Sequence, residues 1–539
     1  MRVFSTRCLG VVLVLYKRKL GYTIVLLLLL KDFILDCINM ANLDEIRQGN
    51  IQKIAKLNAK GISAYPAESR RDMSLADAIE KFDSLAGKEI YVVGRVMSLR
   101  AQGALVFFHL YDGTGKFQGL IRRDDIGDEA FSFFTDIVGI GDFLEIHGTL
   151  FLTKRGEKTV QLTGWKMLSK NIRPLPEKWH GIQDEEDKLR KRYLDILFNE
   201  DVRDMFKKRA IFWSAMRQFL RDRDFMEVET PALENMAGGA DAKPFITHHN
   251  ALDIDVFLRI SVGELWQKRL MVAGFTKTFE IGRIFRNEGI DPEHGQDYTA
   301  MEFYMAYADY NQGMKLVEEM YKFVIEKTFD TLQFAIRGFD VDFSKEWIHY
   351  DYVSTIKEKT GIDVMTASLE DIENKLISLK VDFDKNGWNM TRAMDNLWKY
   401  CRKQISGPGF LVNVPVSMEP LAKRKADDTR FVERFQILIA GSEIGKGFSE
   451  LNDPIDQAGR FAEQAKLREA GDEEAQMNDT DFVEALEYGM PPTFGFGTSE
   501  RLFSFLCGKP LRECQIFPLL RPKKPSASGE DNKIQEKTE

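Results

Sequence analysis

Three short segments of this chain combine residue types that handle phosphates, ammonium groups and metal ions. Residues 441–454 read GSEIGKGFSELNDP and thread three glycines among Glu443, Lys446, Glu450 and Asp453. Glycine in a strand marks a close approach of backbone or ligand, and carboxylates beside such an approach call for a cation, a metal ion or an ammonium. Residues 285–289 read FRNEG, where Arg286 and Glu288 flank an asparagine in what reads as a tight turn between two strands. A guanidinium donates two parallel hydrogen bonds, which suits a phosphate. Residues 495–506, GFGTSERLFSFL, bring Glu500 and Arg501 to the start of an apolar helix, where a phosphate is also favoured. Each segment alone has a plain structural reading: a surface hairpin, a solvated Arg–Glu pair, or a Gly-x-Gly without P-loop or Rossmann spacing.

In this order the three segments resemble the motifs of class II aminoacyl-tRNA synthetases, and most closely those of lysyl-tRNA synthetases. The resemblance runs from about Asn42 to Pro522 and includes RPLPEKWHGIQDEE, KRYLDIL, PFITHHNALDIDVFLRI, YMAYADY and FSELNDPIDQA. It implies ATP-dependent activation of L-lysine to lysyl-adenylate, with Mg2+ accompanying ATP, and transfer to the 3′ end of tRNA(Lys). On the family pattern Arg286 grips the α-phosphate, Glu288 the adenine amine, Tyr298 stacks on the base, and Arg501 holds the γ-phosphate end. Glu450 and Tyr304 take the lysine ε-ammonium, whose burial is costly unless paired. Glu264 and Glu302 meet the α-ammonium, and Gly238, Gly239 and Ala240 offer backbone carbonyls. Pro231 in FMEVETP matches the first motif, which implies a homodimer; Asp224 stands just before it where glycine is common. In the N-terminal domain the resemblance makes Phe107 the stacking platform for an anticodon base, with Arg100, Gln118 and Glu157 at the base edge.

The chain departs from the family at three places. Lys446 replaces an asparagine that meets the substrate; on a strand it shares a face with Phe448 and Glu450. Its expected partner is the substrate carboxylate, with Glu450 as the alternative. Gln436, in ERFQ, replaces one of two glutamates that hold Mg2+, while Glu443 keeps the other; an amide is the poorer ligand, so weaker or fewer protein-bound ions are expected. EHGQDY replaces an RHNPEF-like loop and leaves His294 without a clear role. Enzymes of the same subgroup that charge aspartate or asparagine would need a cationic or amide partner where Glu450 and Tyr304 stand. A relative that lysylates proteins usually lacks the N-terminal barrel, and a non-enzymatic RNA-binding protein needs no Arg286–Arg501 pair.

These residues need rigid elements beneath them. Residues 41–60 have a helical pattern ended by Gly61. From Glu89 the period becomes two, giving five β-rich runs with turns at Asp112–Gly115 and Lys154–Gly156, the pattern of a small oligonucleotide-binding (OB) barrel. Val202, Phe206, Ala210, Trp213, Met216 and Leu220 then form a helical stripe. Beyond it strands and helices mix without βαβ alternation, so the fold expected is α+β: a five-stranded OB-type barrel, then a catalytic domain on an antiparallel sheet flanked by helices. The expected divisions are an apolar extension at 1–39, an N-terminal helix at 40–70, the barrel at 71–172, a linker at 173–187, the catalytic domain at 188–522 and a disordered tail at 523–539.

Composition agrees with this class. In 539 residues, 44% hydrophobic and 29% charged with a net charge of −8, there is volume for more than one core and no general basic coat for nucleic acid. Five cysteines without paired metal-ligand spacing fit a reducing cytoplasm. The apolar run at 11–30 is broken by Lys17, Arg18 and Lys19, and Leu20–Leu30 is short for a bilayer, so no stable membrane association is expected. Met40 is the expected start, with residues 1–39 an upstream extension.

Overall fold

The computed structural model describes residues 43–523, apart from 177–181, 241, 290, 384–387 and 470–476. The N-terminal extension and the polar tail after Lys523 lie outside the described residues. The chain divides into two compact units, Met1–Gly181 and Ile182–Glu539.

In the first unit the period-two runs form the strands Glu89–Gln102, Leu105–Tyr111, Lys116–Arg122, Phe143–Leu152 and Lys158–Ser169. They close into a barrel in the order first, second, third, fifth, fourth, with the third and fifth parallel. Strand alternation sends Val106, Phe108 and Leu110 inward and leaves Phe107 and His109 half-buried on the outer face. At the first turn the Asp112 carboxylate accepts from the amides of Thr114 (2.9 Å) and Gly115 (3.2 Å). A helix not anticipated from the pattern, Asp128–Ile137, lies between the third and fourth strands and buries Phe131, Phe134 and Ile137 in the barrel core. The helix at residues 43–59 sends Leu57 into the same core, so it is part of this unit.

The second unit is built on an eight-stranded sheet in the order Ile348–Asp351, Gly409–Val412, Arg434–Ile439, Ser442–Ser449, Thr493–Ser499, Asp297–Ala306, Lys277–Phe285, Met226–Glu227. Neighbours are antiparallel except the outermost pair at each edge. One face carries Phe303, Phe435, Ile437, Phe494 and Phe496 against the helices Glu200–Arg221 and Tyr310–Phe329, forming the main core. Alternation places Glu302, Tyr304, Gln436, Gly495 and Gly497 on the opposite face.

Three local readings are corrected. On the helix Glu200–Arg221 the buried face runs through Val202, Met205, Phe212, Met216 and Phe219; Ala210 is exposed and Phe206 half-buried, because the real stripe follows 3-4-3-4 spacing through Arg209. FMEVETP, whose pattern reads as a strand stopping at Pro231, contributes only Met226–Glu227 to the sheet. FRNEG is not a tight turn: a loop from Arg286 to Gln296 joins the two strands, its base closed by Arg286 N donating to Gln296 O at 2.9 Å. Asp224 has φ 64°, a left-handed conformation that glycine adopts most readily and aspartate tolerates.

Candidate active site

The strand Ser442–Ser449 contains the site's defining irregularity. Its register against Arg434–Ile439 runs Gln436↔Lys446 and then Leu438↔Glu443, so one extra residue is accommodated there. Gly445, at φ 139°, lies in this bulge, and a side chain on it would come within 2.7 Å of the Tyr321 hydroxyl. The extra residue inverts the alternation, so Glu443 and Lys446 line the same cavity although three apart. That cavity, about 440 Å³, also receives Phe448 and Glu450.

Its deep end is acidic. Glu450 is 1% exposed and Tyr304 3% exposed. Both lie over Gly495, where a Cβ would be 2.1 Å from Glu450 Oε1 and 2.6 Å from Tyr304 Cε1. Glu302 accepts from Val262 N at 2.8 Å and from the Tyr304 hydroxyl at 3.1 Å. Between the acids sits Lys268, whose Nζ lies 2.8 Å from Glu264 Oε1 and 2.6 Å from Glu450 Oε2. Burial works against the Lys268 charge, but Glu264 and Glu450 hold its affinity for a proton above the usual range. One lysine does not balance three carboxylates, Glu264 and Glu450 buried and Glu302 half-buried. Burial and the neighbouring Glu264 charge push Glu302 up to about 7, and burial pushes Glu450 up to about 8 despite Lys268. Glu450 Oε1 has no hydrogen-bond donor. The pocket is short of positive charge.

The outer end is basic. Arg286 donates from Nε to Ile260 O (3.3 Å), and its guanidinium lies 6.0 Å from the centre of the buried Tyr298 ring. Arg501 Nη2 lies 2.5 Å from Glu293 Oε2. Lys446 donates to Glu419 at 3.1 and 3.3 Å, and Arg434 Nε lies 2.9 Å from the same carboxylate. Burial raises the proton affinity of Glu419, but the Lys446 and Arg434 charges outweigh it, and its carboxyl is held below the usual value. Glu443 Oε1 accepts from Trp398 Nε1 at 2.7 Å, leaving its second oxygen for a cation, whereas the Gln436 amide oxygen accepts from Arg434. The donor set fits a Mg2+ ion held through one protein carboxylate and otherwise by nucleotide phosphates.

On the barrel, Arg100 pairs directly with Phe107 across adjacent strands, and Gln118 lies opposite His109. His109 Nε2 is 3.5 Å from Glu157 Oε1, and its Nδ1 is 2.9 Å from Ser98 Oγ. These side chains share the outer face.

Comparison with known proteins agrees with both units. Residues 184–521 match the profile of tRNA synthetases class II (D, K and N), and residues 90–168 that of the OB-fold nucleic acid binding domain. The chain belongs to the class II tRNA synthetases. Among its relatives, the Lysine--tRNA ligases of Thermotoga maritima and Roseiflexus castenholzii are 43% identical to this synthetase over 490 residues, covering 89% of this chain and 97% and 99% of theirs. That of Thermosipho africanus is 42% identical with 97% of its length covered.

Of the residues read from the sequence, Arg286, Tyr298, Glu302, Tyr304, Glu264, Gln436, Glu443, Lys446, Phe448, Glu450 and Arg501 all line this same cavity of the synthetase. Glu288 is exposed and does not; its carbonyl accepts from Gln296 Nε2 at 2.9 Å. Gly239 and Ala240 line the cavity, while Gly238 stands behind them with its carbonyl accepting from Ser261 Oγ at 3.0 Å. Lys446 is paired with Glu419, not with Glu450. Asp453 accepts from Ile455 N at 2.9 Å and caps the helix Pro454–Glu469. Sequence reasoning missed Lys268, Glu419, Arg434, Trp398 and, on the barrel, His109. Glu264 and Lys268 stand four apart on a helix, a spacing that ordinarily reads as a solvated surface pair; nothing in it announces burial.

Proposed function

We propose that this synthetase activates L-lysine with MgATP and transfers it to the 3′ end of tRNA(Lys). The observation that carries the reading is the charge count of the deep pocket. With all three carboxylates ionised, Glu264, Glu302 and Glu450 against Lys268 leave an excess of two negative charges, matched by the ε- and α-ammonium groups of lysine. An aspartate substrate would instead add a carboxylate beside Glu450, at high cost in a buried site.

In this reading the ε-ammonium donates to Glu450 Oε1 and the Tyr304 hydroxyl, and the α-ammonium to Glu302 and Glu264. The lysine carboxylate then points out of the pocket toward Arg286. A carboxylate oxygen attacks the α-phosphorus, the new P–O bond forms as the bond to the bridging oxygen breaks, and pyrophosphate leaves. Arg286 stabilises the charge that builds on the α-phosphoryl oxygens, and Arg501 holds the far phosphate. Tyr298 stacks on adenine. Glu443 would hold a Mg2+ ion accompanying the nucleotide, and that ion would supply positive charge for the pyrophosphate; Gln436 would contribute little because Arg434 occupies its amide oxygen. In the second step the terminal ribose hydroxyl of the tRNA attacks the acyl carbon and AMP leaves. No step requires an enzyme nucleophile, so catalysis rests on positioning and charge.

Phe107 stacks on an anticodon base, with Arg100, Gln118 and Glu157 at its edge. The enzyme works as a cytoplasmic homodimer. Leu233 and Ile254, near the first motif, share one face of the small three-stranded sheet and are 48% and 38% exposed, apolar side chains suited to contact with a second copy. Among the described residues no helix is long and apolar enough to cross a membrane. Charging purified total tRNA with labelled lysine tests the function: lysyl-tRNA should form only with ATP, and its absence alongside charging by another amino acid would overturn the reading.

A further inference from the structure

The outer end of the cavity already holds an anion. Glu293 places its carboxylate 2.5 Å from Arg501 Nη2 through Oε2 and 2.5 Å from Arg337 Nη1 through Oε1, and Ser442 Oγ donates to Oε2 at 3.1 Å. Burial disfavours the Glu293 charge, but the Arg337 hydrogen bond and the Arg501 charge outweigh it and hold the carboxyl below its ordinary range. Arg337 is itself fixed, with its guanidinium 4.1 Å from the centre of the Phe505 ring and Nη1 3.2 Å from Ser442 Oγ. The carboxylate satisfies this cage incompletely: it reaches Arg501 through one nitrogen only, and the buried Arg501 Nε has no acceptor. A tetrahedral phosphate offers one more oxygen than a carboxylate, enough to take Nε and Nη2 of Arg501 together with Arg337 and Ser442.

We propose that Glu293 is a built-in competitor for the terminal phosphate of ATP, and that Arg337 and Ser442 join Arg501 in the site the phosphate takes. This deepens the proposed function and rests on its placing of ATP with the far phosphate at Arg501. Displacement needs no loop movement. The backbone around Glu293 is pinned by the amides of Glu293 and His294 donating to Asp291 at 2.7 and 2.8 Å, and by Leu511 N donating to Pro292 O at 2.8 Å. Rotation of the Glu293 side chain alone opens the cage. Nucleotide binding is therefore an exchange of one anion for another, and the enzyme's ATP affinity is set partly by its own carboxylate.

The test is calorimetric binding of ATP and of AMP, with Mg2+, to the full chain. AMP lacks the phosphates that reach this cage. Glu293→Gln should tighten ATP about tenfold, the usual scale of one charge-assisted hydrogen bond, and leave AMP within about twofold; Glu293→Ala should do the same if the amide retains a contact to the arginines. Arg337→Ala should weaken ATP about tenfold, again sparing AMP. Weaker ATP binding in both Glu293 variants, or equal shifts for ATP and AMP, would overturn the proposal. Failure of the lysine reading would appear separately, as absent lysine-dependent pyrophosphate exchange by the unaltered protein, and would leave the ATP-to-AMP ratios unaffected.

Discussion

A lysine enclosed between Glu264 and Glu450, with 1% of its side chain exposed, compensates only part of the charge around it. Replacing it exposes the remaining imbalance. Lys268→Met should destabilise the protein by about 3–5 kcal/mol, the scale for breaking a buried ion pair, and raise the lysine KM more than the ATP KM; urea denaturation and exchange kinetics check both. The raised carboxyls make lysine binding depend on pH. Glu302, pushed up to about 7, and Glu450, pushed up to about 8, must shed any proton before accepting an ammonium. At lower pH each protonated group costs up to about tenfold per unit, so kcat/KM for lysine should climb from pH 6 and level off a little above 8. A flat profile across that interval would contradict the assignment. Lys446 shares the Glu419 carboxylate with Arg434, so it has an anionic partner within the protein beside the substrate carboxylate expected for it.

At the scale of elements, the glycines are positioned by what crosses them. Gly495 carries Glu450 and Tyr304 directly overhead, so Gly495→Ala should cut lysine-dependent exchange by at least about a hundredfold, while AMP binding stays near its original value. Calorimetry beside the exchange assay separates the two effects. The barrel strands were legible because period-two runs and an Asp-Gly turn are local signals. The cavity residues were legible because motif order carried them. The bulge at Gly445 was not: sequence alternation alone puts Glu443 and Lys446 on opposite faces, and only the register slip against Gln436 and Leu438 unites them. Lys268 escaped for a related reason, since burial of an i,i+4 pair is decided by what packs over the helix. FRNEG misled because Gly289 suggested a turn where the chain instead makes a long loop ending in the strand from Asp297.

For the whole molecule, the two units divide the work by chemistry. The barrel offers an aromatic, Phe107, ringed by polar groups on its outer face; the sheet of the second unit offers the acidic and basic ends of one cavity. Phe107→Ala should therefore raise the KM for tRNA by about five- to a hundredfold, the range of one lost base stack, and leave tRNA-independent exchange unchanged. Coupled losses in both assays would mean that Phe107 supports the fold instead. On the proposed function, the buried Glu264 and Glu450, the half-buried Glu302 and one internal lysine select a substrate with two ammonium groups. The direct measurement is amino-acid-dependent ATP–pyrophosphate exchange, run with lysine, aspartate and asparagine at equal concentration. Strong exchange with lysine and background exchange with the other two is the expected result; negligible exchange with lysine beside strong exchange with either of the others would contradict it.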